Sequence, residues 1–365
     1  MANEYHNYGV VAYQANDYYK AKEFFVRAVV SKPDNIDSHF YLAKVHYFLH
    51  EPVQAIASLR ICIRDGSSKP YENLANVYDL MGQCYILLNQ SEKAINFFKK
   101  AMLLDGFCIS AWHNAGLAYL KLAKNSNDDL SAPIFENARL CLNKALDLSP
   151  DNPMMLNSMA DWHESYGLQL DQAETVVFNL KTAIDLYQKA ISKAKEAKDT
   201  ALITLITENL ADCVAEYGHH LYKNNDFEQA MTKYAEVLKL DAEHAAALTQ
   251  MGMCYFKQNN YDEARKYFIQ LLETPADFQA SADAWLNIAC TYRMQKNWEE
   301  ADVALKRAKD FAADDESIAE EEIKLVAARL NALQAHSTQT LFGASAVVVK
   351  DAEDDEEKRN MYSVI

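Results

Sequence analysis

The residues of this chain that could do chemistry are ten histidines, seven cysteines and 52 acidic residues, and their spacing limits what they can do. His219 and His220 are adjacent, while His6 and His113 stand alone, and no HExxH arrangement places two histidines on one helical face for a metal. The chain has no GxSxG nucleophile turn, no GxxxxGK[ST] phosphate loop and no GxGxxG following a strand pattern. Cys62, Cys84, Cys108, Cys141, Cys213, Cys254 and Cys290 are odd in number and contain no CxxC pair. That is the pattern of reduced, buried thiols, not of a zinc site or a disulfide framework. The acidic stretch Asp310–Glu322 lacks the alternating ligands and central glycine of a calcium loop. These residue types predict no catalysis, no cofactor and no metal.

The elements that carry these residues follow from composition. Half of the 365 residues are hydrophobic, and only 9 glycines and 7 prolines interrupt them, which suits helices better than turn-rich sheets. The formal charge of −16 disfavours generic binding to phosphate backbones or anionic membranes. The first ten residues lack the apolar core of a secretory signal, and no run of about 18 apolar residues could span a bilayer. An intracellular protein of cytoplasm or nucleus is expected, without nucleic-acid partners or membrane insertion.

One skeleton recurs along the chain. Gly82, Tyr85, Ala94 and Phe98 return at the same spacing as Gly252, Tyr255, Ala264 and Phe268. Related sets are Gly9, Ala21, Phe25, Ala28; Ala43, Ala55, Leu59; Trp112, Gly116, Tyr119, then Ala138, Leu142, Ala145; Gly218, Ala230, Tyr234; and Trp285, Ala289, Tyr292, Ala301, Leu305, Ala308. Where units abut, as from Gly9 to Ala43, Gly82 to Gly116 and Gly218 to Gly252, the period is 34 residues. This W-x2-L-G-x2-Y, A-x3-F, P pattern resembles the tetratricopeptide repeat (TPR).

The resemblance implies an all-α solenoid, a right-handed superhelix of about eight helix-turn-helix repeats with a cap helix. The repeats are expected at 2–35, 36–69, 75–108, 109–152, 153–198, 211–244, 245–278 and 282–315. Small residues at repeat position 8 should face the alanine at position 20 and let paired helices approach. The composition of Asn125–Asn137 predicts a loop inside the fourth repeat, and the second helix of the fifth should run long, from Asp171 towards Lys198. A cap helix is expected over 316–336, with Ile318, Ile323, Val326, Leu330 and Leu333 at helical spacing, then an acidic, unfolded tail over 337–365. Within that tail the acidic run Asp351–Glu357 could fold back on basic groove residues, and the terminal Ser363-Val364-Ile365 has the form of a PDZ ligand.

In TPR proteins a concave groove is lined by first-helix positions 2, 5, 9, 12 and 13. Carried onto this chain, that rule gives Tyr13, Phe40, Lys44, Tyr47, Phe48, Gln83, Leu87, His113, Lys121, His219, Tyr222, Lys223, Phe256, Lys257 and Arg293 as peptide-binding residues. Asp37, Asp79, Asp161, Glu164, Asp212 and Asp283 fall on the same positions, so the groove has mixed charge. The co-chaperone subfamily grips a Glu-Glu-Val-Asp terminus with lysine, asparagine and arginine at fixed positions. The first triad here offers His6, Val10, Tyr41, Asn76 and Leu80, and the last offers Ala215, His219, Gln250, Asp283 and Asn287. Neither set can clamp a carboxylate. The reading is a non-catalytic scaffold or adaptor of an intracellular complex, binding extended or helical segments with apolar anchors and some acidic residues. Alternatives are a co-chaperone or an enzyme's regulatory subunit, and self-association is a further expectation.

Overall fold

The start and stop signals of each helix are written locally. Asp17 and Asn35 accept hydrogen bonds from the amides of Lys20 and Ser38, each at 3.1 Å, and so cap the helices that follow them. Asn152 caps the amide of Met154 at 2.9 Å, with Pro153 opening the helix. Between paired helices the chain turns through a left-handed residue: Asn16, His50, Asn89, Asn225, Asn259 and Lys296 all have φ between 55° and 62°. Asparagine, at four of these six turns, is among the non-glycine residues most tolerant of that conformation.

The computed structural model of the chain describes residues 2–64, 72–126, 128–275 and 278–341. Among these the fold is all-α. The chain divides into two compact units, Met1–Ile206 and Thr207–Ile365. In the first, helices α1 (Ala2–Gln14), α2 (Tyr18–Ser31), α3 (Ile36–Phe48), α4 (Pro52–Arg64), α5 (Leu74–Leu87), α6 (Ser91–Leu104), α7 (Ile109–Lys124), α8 (Asp128–Leu148), α9 (Pro153–Gly167) and α10 (Ala173–Ala197) pack as successive pairs. Each pair stacks on the next, and α1, α3, α5, α7 and α9 touch in sequence to form one face. Helix α11 (Thr200–Lys223) enters the second unit at Thr207. There α12 (Phe227–Leu240), α13 (Ala245–Lys257), α14 (Tyr261–Glu273), α15 (Phe278–Met294), α16 (Trp298–Phe311) and α17 (Glu316–Leu341) repeat the stacking, with α17 against α15 and α16.

The recurring skeleton is the core. Ala21, Ala55, Ala94, Ala230, Ala264 and Ala301, all at position 20, have 0% exposure. The position-8 residue, however, faces position 24 more closely than the alanine expected opposite it. A Cβ on Gly9 would lie 2.7 Å from the Phe25 ring, and one on Gly252 would lie 2.5 Å from the Phe268 ring. Gly82 and Gly218 stand in the same relation to Phe98 and Tyr234. At Ala43 and Ala289 position 8 is alanine and position 24 is the smaller Leu59 or Leu305, and Gly116 likewise faces a leucine, Leu142.

Two expectations change. The segment predicted as a loop is largely helix, since α8 starts at Asp128 and carries Pro133 within it. Burial explains this: Phe135 is 1% exposed, its carbonyl accepts from the Trp162 indole at 2.8 Å, and its ring meets Tyr166 edge-on. That tertiary packing overrides turn composition. The cap helix turns a different face inward. Ile318, Glu321 and Leu325 are buried, while Ile323, Val326, Leu330 and Leu333 are 54–70% exposed. Glu321 faces inward because Arg293 of α15 sits 2.5 Å from it, and burying that cation demands a carboxylate. The long helix of the fifth repeat spans Ala173–Ala197, with Ala183, Tyr187 and Ala190 buried. The acidic run Asp351–Glu357 and the terminal Ser363–Ile365 lie outside the described residues.

Candidate functional site

The face built by α1, α3, α5 and α7 carries most of the accessible groove residues of the first unit. Its N-terminal part is aromatic. Tyr13 meets Tyr41 edge-on at 5.7 Å, and Phe48 stacks on Tyr18 at 4.8 Å with nearly parallel rings. Lys44 places its ammonium 4.7 Å from the Phe40 ring centre and 5.2 Å from that of Tyr41. Such a cation over two ring faces is held electrostatically. Burial lowers the Lys44 pKa and raises those of Tyr13 and Tyr47.

Further along, the face sinks into a pocket of about 190 Å³ between α3, α5 and α7. Tyr47, Ile86, Leu87 and Leu117 supply apolar walls, and Gln83, Asn114 and Lys121 supply polar ones. Asp79, 5% exposed, lies behind the amides and accepts from Gln83 at 2.9 Å, Ser110 at 2.8 Å and Asn114 at 3.2 Å. Burial raises the Asp79 pKa, and these three donors oppose only part of the rise. The carboxylate thereby fixes both amide side chains, and each keeps a carbonyl oxygen and a second N–H able to pair with a peptide backbone. Lys121 reaches the Asn89 side chain at 3.1 Å on the rim.

The fifteen predicted groove residues separate by repeat position. Phe40 and His113, both at position 5, are buried at 5% and 6% exposure and fill the space between neighbouring helices. In the second unit Tyr222, Phe256 and Arg293, at position 12, are buried in the same way. Residues at positions 9 and 13 reach the surface in full or in part: Lys44, Gln83 and His219 are half-buried, while Phe48, Leu87, Lys121 and Lys223 are exposed. Lys257 is half-buried. Arg293 is therefore not an open cation but one committed to Glu321. Missing from the predicted set were Asn114, which lines the pocket one residue beyond position 5, and Ser110, a position-2 residue that bonds Asp79.

His113 has become a structural residue. Its Nε2 lies 2.7 Å from the Ser158 hydroxyl, and burial lowers its pKa to about 4. Because the folded value lies below the unfolded value of about 6.5, the unfolded state binds the proton more tightly. The stabilisation from neutral His113 is full above about pH 6.5 and is lost as pH falls towards 4. Denaturant unfolding at pH 7 and pH 5 should show a loss of about 1–2 kcal/mol that His113→Gln removes. An identical loss in the variant would refute this assignment.

Among the described residues no group of His, Cys, Asp or Glu is arranged to hold a metal, and no helix is long and apolar enough to cross a membrane. All seven cysteines are free and buried.

Family models described as tetratricopeptide repeat match residues 75–108, 221–280 and 283–311. Among curated proteins, Hsp70-Hsp90 organizing protein 1 of Glycine max is 22% identical over 200 residues, covering 51% of this chain and 33% of that protein. Tetratricopeptide repeat protein 21A of Mus musculus is 22% identical over 243 residues, covering 64% of this chain and 17% of that protein. The chain thus spans a third or less of the length of these relatives. A tetratricopeptide repeat protein structure from Parabacteroides merdae is 13% identical, with 80% of this chain and 98% of that one covered at a TM-score of 0.44. The repeat is thus matched in both units, and the chain carries tetratricopeptide repeats at residues 75–108, 221–280 and 283–311 within an all-α solenoid fold.

Proposed function

We propose that this chain is a non-catalytic adaptor that holds a partner's peptide segment on the α1–α3–α5–α7 face, as a subunit of an intracellular multiprotein complex. The observation that carries this reading is the pocket of about 190 Å³ where apolar walls meet two pre-oriented amides and one rim lysine. Leu87 and Leu117 are 38% and 36% exposed there, so an apolar anchor would gain burial without unfolding anything. Gln83 and Asn114 read the backbone, and Lys121 favours an acidic residue beside the anchor.

Similarity to an Hsp70-Hsp90 organizing protein favours a second reading, a co-chaperone. The residues at the pocket argue against it. Asp79 occupies position 5 of the third repeat, where the carboxylate-gripping subfamily has a lysine. Asn114 does match that pattern, but an asparagine alone supplies no cation for a terminal carboxylate.

The test is affinity capture from the source cells with the wild-type chain and with Leu87→Asp/Lys121→Glu, both on exposed side chains. A partner held by the wild type should bind the variant at least about tenfold more weakly, a change of about 1.4 kcal/mol. A Glu-Glu-Val-Asp peptide should bind neither. Unchanged capture by the variant would sink the groove reading, and tight binding of that peptide would establish the co-chaperone one.

A further inference from the structure

We propose that the outward stripe of α17 is a self-association surface, on which the same helix of a second copy of this chain lies antiparallel. This goes beyond the adaptor reading and uses none of the residues of the first-unit pocket.

Helix α17 has two apolar stripes. One carries Ile318 and Leu325, with Glu321, and is buried where α17 meets α15 and α16. The other carries Ile323, Val326, Leu330 and Leu333, which are 70%, 58%, 54% and 62% exposed. A helix that only seals the end of a stack needs a polar outer face. Four large aliphatic side chains lie there instead, over about three turns, and a contiguous exposed stripe of this kind marks a contact surface.

Three features select a second copy as the occupant. First, the stripe is spaced 3, 4 and 3 residues apart, the alternation of a helix-pair seam. That spacing reads the same from either end. Two copies related by a two-fold axis therefore set Ile323 of one against Leu333 of the other, and Val326 against Leu330. Every member is paired, as an isologous interface requires.

Second, the charge along α17 is uneven. The segment 316–322 holds Glu316, Glu320, Glu321 and Glu322, whereas 323–341 holds Lys324 and Arg329 and no acidic residue. Glu321 and Glu322 are paired within the chain, with Arg293 and Lys309. Parallel copies would set Glu316 and Glu320 beside their own counterparts; antiparallel copies set them beside the half without acid.

Third, the chain's own apolar run Leu341–Val349 is too short to cover the stripe. It begins where α17 ends, and fully extended it reaches roughly 27 Å. Ile323 lies 18 residues back along the helix, also roughly 27 Å away, which leaves no length for a reversal. Specific interfaces bury about 1,000 Å² or more, and three turns from each copy reach only the low end of that range. A dissociation constant of about 10 μM is therefore expected.

The test is sedimentation equilibrium of the full chain, from about 1 to about 200 μM, on either side of that constant. Wild type should pass from monomer to dimer. Val326→Asp/Leu330→Asp, both on exposed side chains, should weaken association at least about tenfold. It should leave thermal unfolding and the maleimide resistance of the buried Cys290 as in wild type. A short bismaleimide reports orientation, since two-fold pairing puts position 323 beside position 333 of the other copy and about 15 Å from its own counterpart. Ile323→Cys mixed with Leu333→Cys should give a linked pair, and Ile323→Cys alone should not. A wild type that stays monomeric throughout that range would overturn the inference. So would a dimer untouched by Val326→Asp/Leu330→Asp, or a link formed as readily by Ile323→Cys alone. Partner capture through Leu87 and Lys121 should be the same in Val326→Asp/Leu330→Asp as in wild type, so the adaptor reading stands or falls separately.

Discussion

Gly82→Ala should destabilise the α5–α6 pair by about 2 kcal/mol, although alanine is the better helix former by about 1 kcal/mol. The reason is the Phe98 ring. Phe98 is fully buried, and a Cβ on Gly82 would fall within its van der Waals envelope. A ring wedged between two helices cannot step aside as a flexible chain would, and overpacking of this kind costs about 1–3 kcal/mol or more. Hydrogen exchange of the full chain should show protection in α5 and α6 fall about 30-fold. The chain itself indicates the remedy, because Ala43 pairs with Leu59 and Ala289 with Leu305, all 0–1% exposed. Gly82→Ala/Phe98→Leu should therefore recover most of the loss. A single Gly82→Ala that gains protection would mean that the ring yields and the helix-pair account is wrong.

Glu321→Gln should cost more, about 3–5 kcal/mol in the packing of α17, because it takes the countercharge from the buried Arg293 guanidinium. The two side chains are 5% and 7% exposed, and their charges lie at the contact between α15 and α17. Cys290 reports the event. It is fully buried, and burial first, then the Glu321 charge, push its thiol well above the ordinary range. In the wild type Cys290 should resist a maleimide; in Glu321→Gln its labelling, followed by mass spectrometry, should accelerate at least about 100-fold as α17 opens. Replacing the pair together, as Arg293→Met/Glu321→Leu, should restore slow labelling, since an apolar pair of similar volume leaves nothing unpaired. If Glu321→Gln labels as slowly as wild type, Ile318, Leu325 and the Lys309–Glu322 pair hold α17 without it.

These two variants also mark what the sequence made legible. Gly82 and Phe98 were readable as a skeleton because packing fixes residue size at fixed spacing, and the spacing repeats. The pairing of Gly with an aromatic ring is visible at Gly9, Gly82, Gly218 and Gly252 once the repeats are aligned, while Gly116 faces Leu142 instead. Glu321 was not readable. Along α17 two stripes satisfy helical spacing, and hydropathy selects Ile323, Val326, Leu330 and Leu333, whereas the buried stripe includes a glutamate chosen by an arginine 28 residues earlier. That choice is a tertiary fact with no local trace. Similarly, Asn125–Asn137 has loop composition, but Phe135 finds Trp162 and Tyr166 and the segment winds into helix. At the candidate site the rule by repeat position named the face but not its depth. It could not separate Phe40 and His113, covered by the next repeat, from Phe48 and Leu87, which stand clear of it.

If partners are held on the α1–α3–α5–α7 face, site-specific photo-crosslinking in the source cells will capture them there. A benzophenone side chain would replace Leu87, in the pocket, or Leu103, which is 86% exposed on α6 of the same repeat. A discrete adduct is expected from position 87, reduced by Lys121→Glu, and none from position 103. Adducts from position 103 with none from position 87 would contradict binding on that face.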